Sequence, residues 1–134
     1  MLFLDSAGIA GAIGTRLRNA GFQNVLEVNF GADSPDPKCR YMRDFMWAQL
    51  KDWLLVGAID RSPRLEADLT GPGIREELQQ RIWLESKKDM KLRDVPSPDE
   101  GDALALTFAQ KVTVPGTRKG ASGWAKESPT HTSG

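Results

Sequence analysis

The sequence predicts an α/β domain built on a short, mostly parallel sheet flanked by helices. Two features carry this. The apolar run Leu2, Phe3, Leu4 gives way to small residues and then to Ile9, Ile13 and Leu17 at helical spacing, before the strand-like NVLEVNF at 24–30. Further along, Tyr41–Val56 and Ser97–Phe108 again repeat apolar residues on a helical period.

The first strand is expected at Leu2–Leu4, ending in Asp5, with Asp5 to Gly8 turning the chain into a helix over about Gly8–Ala20 that Gly21 stops. The second strand, within Asn24–Phe30, would lie parallel to the first, because a strand–helix–strand unit crosses over right-handedly. Asp5 would then sit at the carboxyl end of a strand, where open α/β sheets place their chemistry. A chain that opens inside a core strand either pairs it with a later segment or lacks what came before.

After the polar loop GADSPDPK at 31–38, a helix over Tyr41–Val56 is expected, with Tyr41, Phe45, Leu50, Trp53 and Leu54 as its packing stripe and Gly57 as its stop. Ser62 and Pro63 suit the cap and first position of a short helix through Leu69, ended by Gly71–Gly73. Ile82–Leu84 could be one last strand. Ser86 and Asp89 form a loose capping box in a basic turn carrying Lys87, Lys88, Lys91 and Arg93. The region 1–109 is read as the folded part. Residues 110–134, rich in Gly, Ser, Thr and Pro with a lone Trp124, are read as a flexible tail.

Composition narrows the functions. Eighteen basic and eighteen acidic residues cancel, so any attraction to nucleic acid must come from a local patch. A single Cys39 excludes an internal disulfide framework and, without a Cys/His cluster, a zinc site, so a reducing interior is the natural compartment. His131, the only histidine, lies in the polar tail, which sets aside His-dependent triads. MLFLD is too short for a signal peptide or membrane span. No Walker-type loop is present; GIAGAIG at 8–14 lacks its lysine and the dinucleotide spacing, so its glycines are read as tight helix packing.

Ser97 would cap the last helix, with Pro98 at its first position and Glu100 closing a capping box. Asp102 then shares a stripe with Asp99, Ala105, Leu106 and Ala109, so it points inward or along a cleft edge. A carboxylate taken out of water needs a cation, a donor or a metal beside it. Asp99 and Asp102 would make a divalent-cation half-site. The plainer alternative is that Asp99 and Glu100 favour the helix dipole and Asp102 is half exposed. Asp5 has its own alternative, a residue that caps the turn after the strand.

Several of these segments resemble, in the same order, the end of the nuclease domain of tailed-phage terminase large subunits: FLDSAGIAGAIGTRLRNAGF, EVNFG, YMRDFMWAQLKDWLLVGAI and LESKKDMKLRDVPSPDEGDALALTFA. The resemblance covers roughly residues 2–109, and the DxxDALA pattern is also similar to Holliday-junction resolvases. It implies an incomplete RNase H-like domain and Mg²⁺- or Mn²⁺-dependent cleavage of double-stranded DNA. Asp5 corresponds to the middle-strand acid and Asp102 to the acid of the final helix. Both would be catalytic and metal-binding, with Asp99 as accessory ligand and Lys87 and Lys88 meeting DNA phosphate.

The family carries an ATPase domain and the first nuclease strands, with the first catalytic Asp, ahead of the matching segment. The expectation is therefore a C-terminal fragment or truncated prophage remnant, weak or inactive alone because a lost ligand costs orders of magnitude in rate. Its expected partners are DNA, the missing half and packaging proteins such as the portal and small terminase, in a bacterial cytoplasm and without membrane contact. The non-enzymatic alternative is a remnant acting as a binding or docking module for packaging components or DNA.

Overall fold

The computed structural model describes residues 1–6, 10–76 and 81–112. The turn expected at Ser6–Gly8, the helix start at Gly8 and the tail from 113 on, with Trp124 and His131, fall wholly or partly outside them. The elements run β1 (Leu2–Asp5), α1 (Ala10–Asn19), β2 (Val25–Val28), α2 (Met42–Trp53), α3 (Pro63–Thr70), β3 (Ile74–Glu76), β4 (Ile82–Leu84), α4 (Lys87–Leu92) and α5 (Asp99–Leu106).

The β1–α1–β2 unit forms as expected. The strands pair in parallel with Leu2 opposite Val25 and Asp5 opposite Val28, and α1 packs on both. Gly21 ends α1 at φ 97°: its N–H bonds Arg18 O while Phe22 N–H reaches back to Leu17 O, the paired geometry a left-handed residue permits. Gly14 lets the Glu27 side chain lie against α1, where Glu27 pairs with Arg18 at 2.9 Å, whereas nothing approaches Gly11 within 4 Å. Of the two described glycines in this stretch, the tight-packing role holds for Gly14 and not for Gly11.

The fold class is α/β, but among the described residues the strands form two separate two-stranded sheets, one parallel and one antiparallel, rather than one mostly parallel sheet. β4 does not join β1 and β2; it pairs antiparallel with β3, a strand the sequence reading missed, in a separate two-stranded sheet. Its other side bonds the 38–40 loop through Ile82 N–H to Lys38 O and Arg40 N–H to Ile82 O.

The buried stripe of α2 differs from the expected one. Met46, Trp47 and Leu50 are inside, while Tyr41 and Trp53 are exposed. Tyr41 flanks the helix and Trp53 closes it, so the burying face is carried by the turns between them. The helix also stops short of Val56, because Leu55 and Val56 bond Asp52 and Trp53 in tighter turns. With Val28, Ala105 and Leu106, and with Phe3, Leu26 and Phe30 packed against them, these residues form the core between the parallel strands, α2 and α5.

Caps explain the short helices. Ser62 Oγ accepts the Leu65 N–H at 3.2 Å with Pro63 opening α3, and Ser86 Oγ accepts the Asp89 N–H at 3.1 Å at the start of α4. Helix α5 is different, and corrects the expectation for Ser97. Pro98, at φ −83° and ψ 64°, is not helical, so the helix begins at Asp99 and Ser97 is too far back to cap it. Asp68 of α3 does so instead: its Oδ2 accepts the Glu100 N–H at 2.8 Å and the Gly101 N–H at 3.2 Å. Glu100 turns away to pair with Arg64 at 3.1 Å.

Candidate functional site

Asp102 faces inward from the first turn of α5, 5% exposed, which overturns the half-exposed alternative. Helix α5 packs along α2, which brings two donors to one carboxylate oxygen: the Arg43 Nε–H and the Trp47 Nε1–H each donate to Asp102 Oδ1 at 2.9 Å. Arg43 and Trp47 are one helical turn apart on α2, so they act from the same face. Arg43 also donates through Nη1 to the Glu85 carbonyl at 3.0 Å, fixing the guanidinium against the β4–α4 junction. The other oxygen, Oδ2, meets the Lys87 ammonium at 2.9 Å. Asp99 Oδ1 reaches the same ammonium at 3.5 Å.

The charges balance locally: Asp99 and Asp102 against Lys87 and Arg43. Burial works against the Lys87 ammonium, but pairing with Asp102 and the field of both carboxylates outweigh it and raise its pKa above the usual lysine value. The arrangement is graded in depth. Arg43 and Asp102 side chains are 11% and 7% exposed, whereas Lys87 and Asp99 are 47% and 65% exposed. Both Asp102 oxygens are buried: Oδ1 is held by buried donors, while Oδ2 lies beneath the half-exposed Lys87 ammonium.

The expected site residues are therefore only partly assembled. Asp5 does end β1, half-buried, with the next N–H, that of Ser6, bonded to Val28 O at 2.8 Å. Asp99 and Asp102 meet at the Lys87 ammonium. Among the described residues, however, no three His, Cys, Asp or Glu side chains form a group that could hold a metal, so Asp5, Asp99 and Asp102 are not drawn together as three ligands. The donors from α2 and α4 turn the Asp102 carboxylate toward themselves. Lys87 pairs with the two acids, and both it and Lys88 beside it are exposed. Arg43 and Trp47 escaped the sequence reading. The usable signal was Asp102 itself, since a buried carboxylate requires a donor, but nothing local says which.

The Asp99 and Asp102 carboxylates share the Lys87 ammonium at 3.5 and 2.9 Å, a compact cluster of charged groups. By contrast, the apolar groove of about 220 Å³ between α2, β3 and β4, lined by Leu50, Leu54, Leu69 and Ile74 among others, offers chemistry only from Asp44 and Lys51. Asp44 is committed to the fold, its Oδ1 accepting the Leu84 N–H and its Oδ2 the Tyr41 N–H, each at 2.8 Å.

Among the described residues, no helix is long and apolar enough to cross a membrane. Comparison with family models, with curated proteins and with solved structures found no match to this chain.

Proposed function

We propose that this chain supplies part of the divalent-metal centre of an RNase H-like endonuclease of the terminase large-subunit type, with Asp5 and Asp102 as its catalytic acids and Asp99 as an accessory ligand. The observation that carries the reading is the convergence of Asp99 and Asp102 on one cationic centre at the rim of α5. The packing of α5 against β1, the strand that Asp5 ends, supports it further. A bound Mg²⁺ or Mn²⁺ would activate water and neutralise the leaving oxygen of a phosphodiester. The chain's own residues have simpler tasks: Arg43 and Trp47 fix the Asp102 carboxylate through Oδ1, and Lys87 and Lys88 offer positive charge to DNA phosphate. Because no third acid joins Asp99 and Asp102 among the described residues, cleavage by this chain alone is expected to be weak. In that reading double-stranded DNA, an ATPase-bearing half and the other packaging proteins are its partners.

A second, non-enzymatic reading is favoured by the same ion pairs. With both Asp102 oxygens held by protein groups, the cluster can act as a bolt between α2, α4 and α5 in a binding module. Titration with Mn²⁺, followed by the electron-spin signal of the free ion, separates the two. The nuclease reading expects saturable binding that Asp5→Asn and Asp99→Asn each weaken by about tenfold or more, since even outer partners of a metal site cost that much. Equal affinity in all three proteins would leave only the bolt.

A further inference from the structure

We infer that the outer edge of β1 is a docking surface for a second copy of this chain, the two β1 strands pairing antiparallel about a twofold axis at Phe3; this stands apart from the nuclease reading. Among the described residues β1 has one strand beside it, β2. The pair is nevertheless covered on both faces. Phe3, Leu26 and Val28 face the core formed with α2 and α5, while Leu4 and Glu27 face α1, where Glu27 lies against Gly14. Parallel strands covered in this way normally belong to larger sheets, and two strands alone are marginal. Leu2 N–H donates to Asn24 O and Ser6 N–H to Val28 O, so the even-numbered residues of β1 bond β2. Phe3 therefore turns its N–H and C=O to the opposite side.

That edge is self-complementary. Antiparallel pairing centred on Phe3 lets it exchange both backbone hydrogen bonds with its twin, and sets Leu2 of each copy opposite Leu4 of the other. Leu2, 43% exposed on the α1 face of the sheet, would be covered by the pairing. Asp5, the one charged residue of β1, falls opposite Met1 and not opposite its own copy, so no like charges meet. Leu2, Phe3 and Leu4 carry neither the charge nor the proline with which proteins block an exposed edge. The eighteen basic and eighteen acidic residues of the chain cancel, so two copies approach without net repulsion. A twofold axis closes the assembly at a dimer, with one continuous sheet in the order β2, β1, β1, β2.

Sedimentation velocity on the full chain, from low to high micromolar concentration, should show a monomer passing into a dimer. Residue-resolved amide exchange in the same solutions locates the interface. The Leu4 amide, which faces β2, should be protected at every concentration, whereas the Phe3 amide should gain about tenfold protection only as the dimer forms. Leu2→Lys sets a charge against Leu4 of the other copy twice per dimer and should weaken association roughly tenfold, while Leu2→Val should not. Circular dichroism and the retained protection of Leu4 confirm that the lysine variant folds with β1 still on β2. A chain that stays monomeric at the highest concentration overturns the inference, as do assemblies larger than two and association that Leu2→Lys leaves unchanged. A dimer in which Phe3 gains no protection would place the interface elsewhere. A Phe3 amide already protected in the monomer would show another segment of the chain on that edge, and either result equally refutes the pairing.

Discussion

Replacing Asp68 should uncouple α3 from α5 and loosen the turn that carries both rim acids. Asp68 is 9% exposed and its Oδ2 takes the N–H groups of Glu100 and Gly101 at 2.8 and 3.2 Å, doing for α5 what a local cap does for α3. An N-cap side chain contributes about 1 kcal/mol, and a carboxylate at a helix N-terminus adds about 0.3–1 kcal/mol through the dipole. Asp68→Ala also leaves two amides without their acceptor in a place the methyl cannot hydrate, so the loss should reach roughly 2–3 kcal/mol. Asp68→Asn keeps an acceptor oxygen and loses only the charge, so about 1 kcal/mol is expected. Urea denaturation followed by Trp fluorescence reads both, with unchanged slope if the native surface is unchanged. Amide exchange should accelerate at Glu100 and Gly101 in the alanine variant. An Asp68→Ala protein within about 0.5 kcal/mol of the original, the range of an ordinary surface change, would refute tertiary capping. So would equal losses in the two variants.

Acid should weaken the chain through Glu85. Arg93 grips its carboxylate with two hydrogen bonds and the Gly73 N–H donates a third at 2.9 Å, which together hold its pKa down at about 2. A depressed carboxylate stabilises the fold above its unfolded pKa, so that contribution should fade as pH drops from the ordinary glutamate range through about 2. Glu85→Gln should flatten this part of the stability–pH curve, and an unchanged slope would show that other acids carry it. At Gly101 an added Cβ would lie 2.9 Å from the Trp47 ring and 3.3 Å from the Asp68 Cβ. Overpacking of about 1–3 kcal/mol should outweigh the roughly 1 kcal/mol that alanine gains in a helix, giving Gly101→Ala a lower urea midpoint.

What could be read from the sequence was what neighbours along the chain decide. Ser62 and Pro63, Gly21 and the alternation of apolar strand and amphipathic helix each act within one turn, and the structure has them where the residues put them. The failures share a cause. The start of α5 slipped past Ser97 because its cap is 32 positions away in Asp68. β3 is three residues with no repeat to detect, and it exists because Ile74 and Glu76 pair with Leu84 and Ile82. The Asp102 cluster was half legible: period placed the carboxylate inside, but Arg43 and Trp47 stand 59 and 55 positions away, and only packing selects them.

The buried acids, taken together, narrow where chemistry could reside. The described residues bury four: Asp44, Asp68, Glu85 and Asp102. Asp44 spends its oxygens on the backbone amides of Tyr41, ahead of α2, and of Leu84 in β4, and Asp68 spends one on two amides of α5. Glu85 is clasped from both sides by one guanidinium and a glycine amide, with no second acid on its partner. Removing any of these donors would leave an acid unpaired and gain nothing for binding. Asp102 differs because its bonds divide: permanent donors on Oδ1, a half-exposed and shared ammonium on Oδ2. A carboxylate arranged this way keeps its place through Oδ1, so losing the Lys87 ammonium should cost the fold less than losing Arg43 or Trp47.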